Sequence, residues 1–204
     1  MIIHLNDCWS GECPLIGPAL YVWVQGCPRR CPGCCNLTAQ DPDAPASKVR
    51  VEDLAAEALA RPGGLVLSGG EPLLQAAELT TLCRLVREKR PDALILAYTG
   101  YTLEEVVQAA RPEWFDLLKC LDVLVDGPYD QDRPSEDPLL GSSNQRVIVL
   151  GRSLPVRRVL ETRQPGVQVA LDREGALRLV GTGGRGWSMN ELVDRFQDHG
   201  LEME

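Results

Sequence analysis

Three cysteines define the chemistry open to this chain. Cys27, Cys31 and Cys34 fall in the run CPRRCPGCCN at residues 27–36, with the spacing C-x3-C-x2-C. Three thiolates so spaced can curl around one face of an iron-sulfur cube and leave its fourth iron without a protein ligand, because the usual ferredoxin run supplies a fourth cysteine in a different register. The same thiolates can also form part of a zinc site completed from a distant stretch of chain. Spacing alone leaves both open.

A second group bears on the choice. Ser68-Gly69-Gly70-Glu71-Pro72 places glycines where backbone can approach a ligand closely, followed by a carboxylate able to accept from an ammonium group. Alone, the group reads equally well as a turn at the end of a strand. In this order and separation from the cysteines, coincidence becomes a poor account, and the cluster reading takes precedence over zinc.

The elements that must position these groups are legible from apolar patterning. Leu20–Val24, Leu65–Leu67, Leu94–Ala97, Val123–Val125 and Val147–Leu150 read as short buried strands. Helices are expected over Val51–Ala60, from Pro72 to about Lys89, from the capping box Thr102-x-x-Glu105 to about Ala110, and over Pro112–Cys120. Asp130–Asn144 is rich in Pro, Asp, Ser and Gly, and a loop of that length is more often functional than idle. Beyond it, Val167–Leu171 and Ala176–Val180 flank a turn and predict a hairpin, and Ser188-x-x-Glu191 predicts a terminal helix to about His199.

Alternating strands and helices with short connections predict a parallel sheet wrapped by helices. The units are too few for a closed eight-stranded barrel, so the expected fold class is α/β, a partial open (β/α) barrel with a C-terminal β-hairpin and helix. Residues 1–150 form the expected core, and 151–204 an extension within the same domain or an appendage for partner docking. In such sheets ligands bind at the carboxyl ends of the strands. The cysteine loop, SGGEP, YTGY (98–101) and DGPYD (126–130) each follow a predicted strand, so all should converge on one face.

The 204 residues carry a formal net charge of -8, which offers no global footprint for nucleic acid. The arginines between Arg152 and Arg163 are interleaved with Glu161 and read as a solvated face. No apolar run approaches the roughly 20 residues that span a bilayer, and the N-terminus does not read as a signal peptide, so a cytoplasmic protein is expected, with no membrane and no nucleic-acid partner. Eight cysteines in a reducing compartment point to metal or redox chemistry before disulfides. Cys83 and Cys120 lie in helical apolar patterns and read as small buried hydrophobes.

The sequence resembles the radical S-adenosylmethionine superfamily, and more closely its small activating-enzyme branch, that of the activating enzyme of anaerobic ribonucleotide reductase. The resemblance rests on VWVQGCPRRCPGCCN (22–36), LSGGEPL (67–73), AYTGYT (97–102), DVLVDGPYD (122–130) and GSSNQR (141–146). It implies that Cys27, Cys31 and Cys34 hold a 4Fe-4S cluster whose fourth iron takes the amino and carboxylate groups of S-adenosyl-L-methionine. Ser68, Gly69, Gly70 and Glu71 would receive the methionine amino end. Gly33 and Cys35 would line the cofactor through their backbone, and Thr99 and Asp126 would serve its ribose and carboxylate side. The implied reaction is reductive cleavage to a 5'-deoxyadenosyl radical that takes hydrogen from a partner protein, most naturally a glycyl radical enzyme under anaerobic conditions. A low-potential donor such as flavodoxin or ferredoxin would supply the electron.

Other readings stay in view. One is a radical enzyme acting on a peptide or small molecule, of peptide-modifying or deazaguanine-forming type; another is a noncatalytic iron-sulfur or zinc protein, which would have no use for SGGEP. The branch usually carries a G-P-G run before the first strand, and Leu15-Ile-Gly-Pro-Ala19 matches it only in part. Cys8, Cys13 and Cys35 read as unpaired thiols rather than a second metal site, because no fourth ligand is in evident register. Gly181-x-Gly183-x-x-Gly186 fits the dinucleotide fingerprint formally, yet too little chain follows for a βαβ unit, and it reads as a hinge. His4 and His199 are too isolated to act as general bases.

Overall fold

The computed structural model describes residues 1–13 and 15–150 and, by their backbone, strands 167–171 and 177–181. The predicted terminal helix at 188–199 and the glycine run at 181–186 lie wholly or largely outside the described residues.

A seven-stranded sheet runs in the order β3-β1-β2-β4-β5-β6-β7. Its strands are β1 (Ile2–Cys13), β2 (Gly17–Val24), β3 (Ser47–Arg50), β4 (Gly64–Gly69), β5 (Ile95–Tyr98), β6 (Val123–Asp126) and β7 (Arg146–Val149). The central four, β2, β4, β5 and β6, are mutually parallel, while β1, β3 and β7 pair antiparallel at the flanks. Helices α1 (Val51–Leu59), α2 (Ala76–Lys89), α3 (Leu103–Ala109) and α4 (Pro112–Leu118) cross between them. The sheet does not close, and this is the expected partial, open (β/α) barrel. β8 (Val167–Leu171) and β9 (Leu177–Gly181) form the predicted hairpin as a separate two-stranded sheet.

Period-two alternation decides which side chains face which layer. Leu20, Val22 and Val24 of β2 join Leu65, Leu67, Ile95 and Leu124 under the helices, packed by Leu54, Leu79, Leu82, Val106 and Leu117. The intervening residues, Ala19, Tyr21, Val66, Leu96, Val123 and Val125, face the other way, where Trp9, Trp23 and Tyr98 join them. Leu139, from the loop after β6, is fully buried against this inner face. The long loop is therefore packed in rather than idle, in line with its length.

Two strands escaped the sequence reading. β1 begins with alternating burial at Ile3 and Leu5 and then turns polar, so its pattern is diluted. β3, Ser-Lys-Val-Arg, is a short edge strand without an apolar signal. Helix α2 also starts later than expected, because Pro72–Gln75 form a 3-10 turn first.

The parallel register aligns the carboxyl ends on one edge: Val24 stands opposite Gly69, Leu67 opposite Ala97 and Tyr98 opposite Val125. Gly69 has φ +99, and a Cβ there would lie 2.6 Å from the Trp23 Cα, so only glycine lets β4 turn this close to β2. The helix layer fixes that edge. Leu79→Ala, at a fully buried α2 position, should lower the unfolding free energy by about 2 to 5 kcal/mol in a urea titration. A loss below about 1 kcal/mol would show that the helix is not seated as described.

Candidate active site

The cysteine loop leaves β2 at Gln25 and closes on itself. The Gly26 N–H donates to the Ala39 carbonyl at 2.8 Å and the Cys27 N–H to the Gln40 carbonyl at 3.0 Å. Side-chain amides hold its back. Gln25 Nε2 donates to the carbonyls of Thr38 and Asp41 at 2.7 and 2.6 Å, and Asn36 Oδ1 accepts from the Thr38 hydroxyl and the Ala39 N–H. Asn6 Nδ2 donates to Gln25 Oε1 at 3.0 Å, and Asn36 Nδ2 donates to Asn6 Oδ1. The pairing of β1 with β2 shifts register between Leu5 and Asp7, and the extra residue, Asn6, is thereby aimed at the loop.

Within this frame the surroundings act on the Cys27 and Cys34 sulfurs. Arg30 sits at φ +46, and the N–H groups of Arg29 and Arg30 point at the Cys27 sulfur; burial nonetheless pushes that thiol up. The Cys34 sulfur accepts from the Cys35 thiol, the Asn36 N–H and the Gln40 side chain, which hold its pKa down to about 6 against the opposing effect of burial. The Cys34 N–H donates to the Cys31 carbonyl at 3.3 Å. All three of Cys27, Cys31 and Cys34 are half-buried. Hydrogen bonds to sulfur and partial burial are the features by which a protein tunes a cluster. Among the described residues, no three His, Cys, Asp or Glu side chains are placed to share one metal ion.

The other strand ends join the loop through backbone bonds. The Gly70 N–H donates to the Val24 carbonyl at 2.7 Å and the Glu71 N–H to the Gly26 carbonyl at 2.8 Å. Glu71 is completely buried. Its Oε1 accepts from the Thr99 hydroxyl at 2.8 Å and the Leu73 N–H at 3.0 Å, and its Oε2 from the Gly100 N–H at 2.8 Å. Burial raises its carboxyl to about 7, while these donors and Arg29 act in the opposite direction.

Thr99 and Asp126 continue the chain of contacts. The Thr99 N–H donates to the Val125 carbonyl and the Gly127 N–H to the Tyr101 carbonyl. Asp126, fully buried, accepts from the Leu103 N–H at the start of α3 and from both Nε and Nη2 of Arg146. Arg146 also pairs with Glu104. Gln145 Oε1 accepts from the N–H groups of Gly141 and Ser142, while Gln145 Nε2 donates to the Gly127 carbonyl and Asn144 Nδ2 to the Pro128 carbonyl. The GSSNQR run thus fastens the long loop to the end of β6. Gly33, at φ +68, lies against Gln131 of that loop so closely that a Cβ would collide with the amide.

The predicted site residues therefore gather at one rim. Ser68 and Gly69 end β4, Gly70, Glu71 and Thr99 follow in direct contact, Asp126 ends β6, and Gly33 and Cys35 lie in the cysteine loop. Glu71, Thr99 and Asp126 spend their oxygens on internal donors in this structure. Cys8 and Cys13 are not brought together, because Cys8 packs toward the helices and Cys13 on the inner face. Asn6, Gln25, Gln145 and Arg146 were given no role from sequence; their side-chain partners lie up to 42 residues away or depend on a strand register.

Residues 16–148 match the 4Fe-4S single cluster domain family. The anaerobic ribonucleoside-triphosphate reductase-activating protein of Enterobacteria phage T4 is 30% identical over 136 residues, covering 64% of this chain and 83% of the relative. The protein of that name from Escherichia coli K12 is 33% identical, covering 64% and 88%, and that from Pasteurella multocida is 34% identical, covering 69% and 90%. Among solved structures, QueE from Escherichia coli aligns with a TM-score of 0.40 and 21% identity over 50% of this chain and 54% of that one.

Arg146→Ala would leave the buried Asp126 carboxylate without its cation. The denaturation midpoint should fall clearly, and Asp126→Asn in the same background should recover part of the loss. Equal midpoints for wild type and Arg146→Ala would show that the pair does not anchor the end of β6.

Proposed function

We propose that this chain, which belongs to the radical S-adenosylmethionine activating-enzyme family with its single 4Fe-4S cluster, activates a glycyl radical protein of the anaerobic ribonucleoside-triphosphate reductase type. The observation that carries the proposal is the alignment of the strand ends, which brings the cysteine loop, SGGEP, YTGY and DGPYD to one rim. The partner class follows from the names of relatives that this chain covers over 83 to 90% of their length.

In this reading Cys27, Cys31 and Cys34 each hold one iron of the cluster. When bound there, the cluster and S-adenosylmethionine would supply one-electron reductive cleavage of the sulfonium carbon-sulfur bond and, through it, hydrogen-atom abstraction. The chain's own residues bind and orient. Ser68, Gly69 and Gly70 offer hydroxyl and backbone groups to the methionine end. Glu71 holds that turn against Thr99 and Gly100, so its contribution to the ammonium group comes through its buried charge and the turn it fixes. Gly33 and Cys35 present backbone at the other side of the loop, and Asp126 and Thr99 set the floor toward the ribose. The half-buried cysteines suit reduction by a small donor of the flavodoxin or ferredoxin kind. Residues 151–204, beyond the family match at 16–148, are assigned to partner docking beside a core of residues 1–150.

Anaerobic reconstitution with iron and sulfide, followed by dithionite and S-adenosylmethionine, should release 5'-deoxyadenosine. With an anaerobic ribonucleotide reductase present, a glycyl radical signal should grow with it. Cys31→Ala should lose the cluster and reduce cleavage by at least about a thousandfold, since about 4 kcal/mol of barrier corresponds to that factor. Fully loaded wild-type protein that forms no deoxyadenosine would refute the radical reading; cleavage without a protein radical would refute the partner.

A further inference from the structure

We propose that Gln25 is a positioning residue whose buried carboxamide shuts the neck of the cysteine loop and holds the loop formed before any iron arrives. Its bearing on the cluster rests on the reading of Cys27, Cys31 and Cys34 as ligands.

Gln25 precedes the loop at the end of β2, and only 5% of it is exposed. A buried carboxamide must place two N–H donors and an acceptor oxygen. All three find partners: Nε2 donates to the Thr38 and Asp41 carbonyls at 2.7 and 2.6 Å, and Oε1 accepts from Asn6 Nδ2 at 3.0 Å. Between those two carbonyls, the Ala39 and Gln40 carbonyls accept from the Gly26 and Cys27 N–H groups. The successive carbonyls of residues 38–41 are thus all held by residues 25–27. The backbone of Gln25 is anchored in turn, its N–H on the His4 carbonyl at 2.9 Å and its own carbonyl on Gln75 Nε2 at 3.2 Å.

Packing alone would not keep the returning limb in place. From Leu37 to Asp41 only Ala39 is buried, and Leu37 is 67% exposed. The hydrogen bonds at the neck therefore carry the closure, and they offset its entropy cost before a ligand binds. The same neck sets the loop against the SGGEP turn. The Gly26 carbonyl accepts from the Glu71 N–H at 2.8 Å, and a Cβ on Gly70 would stand 2.8 Å from the Ala39 carbonyl oxygen. Gln40, fixed there, reaches back into the loop and donates from Nε2 to the Cys31 carbonyl at 3.4 Å. A methionine at 25 would match the length of the side chain but leave the Thr38 and Asp41 carbonyls without these donors.

The test begins with amide hydrogen exchange, followed by NMR, on the iron-free full chain. Gln25→Met should lower protection at Gly26 and Cys27 by about tenfold or more, while Leu65 in β4, bonded to the Leu94 carbonyl, exchanges as in wild type. In reconstituted protein, Gln25→Met should release iron to a chelator severalfold faster than wild type. Leu79→Ala, which weakens the helix layer instead, should release it at the wild-type rate. Wild-type protection at Gly26 and Cys27 in Gln25→Met overturns the proposal, and so does iron release from Leu79→Ala as fast as from Gln25→Met. If Gln25→Met does not fold, Asn6→Ala replaces it, and unchanged protection at both amides in that variant overturns the proposal. Wild-type protein that takes up no 4Fe-4S cluster refutes the cluster reading, whereas the exchange measurement needs no iron, so the two failures are distinct.

Discussion

The rim depends on one buried carboxylate. Glu71 has no exposed surface, and an isolated ionised carboxylate in such a place costs far more than any single packing contact returns. It is tolerated because the Leu73 N–H, the Gly100 N–H and the Thr99 hydroxyl all donate to it. Those donors come from the turns after two different strands. The carboxylate therefore ties the end of β4 to the end of β5, while its own N–H ties both to Gly26 in the cysteine loop. Three of the four strand-end motifs meet at this residue, and Asp126 with Arg146 repeats the arrangement for the fourth.

This constraint explains why most of the site was legible in the sequence. Motifs that end parallel strands must lie on one edge, and glycines at 69 and 70 announce a close backbone approach, so Cys27, Gly70, Glu71 and Thr99 can be placed together without coordinates. What those groups do for each other was less visible. Glu71 reads as an acceptor for a ligand's ammonium group, yet its internal donors depend on the register that sets Leu67 beside Ala97. Asn6 and Gln25 meet only because β1 bulges, and nothing in a polar strand marks the bulge. β1 and β3 stayed hidden because a half-polar strand and an exposed edge lack the apolar alternation that reveals the central ones.

The two faces of the sheet divide the work. The helix side is aliphatic and closely packed, and it holds the strand ends in register. The inner side carries Trp9, Tyr21, Trp23 and Tyr98 and is covered in part by Leu139, so the long loop belongs to the site rather than to its margin. Gly33 against Gln131 joins that loop to the cysteine turn, and Asn144, Gln145 and Arg146 fasten it to the end of β6.

The central claim is that three protein thiolates hold the cluster and leave one iron for S-adenosylmethionine. Mössbauer spectra of protein reconstituted with 57Fe test it most directly. The account predicts that one iron in four changes its isomer shift when S-adenosylmethionine is added, while the other three, on Cys27, Cys31 and Cys34, stay as they were. Four irons that all remain unchanged on addition would contradict it.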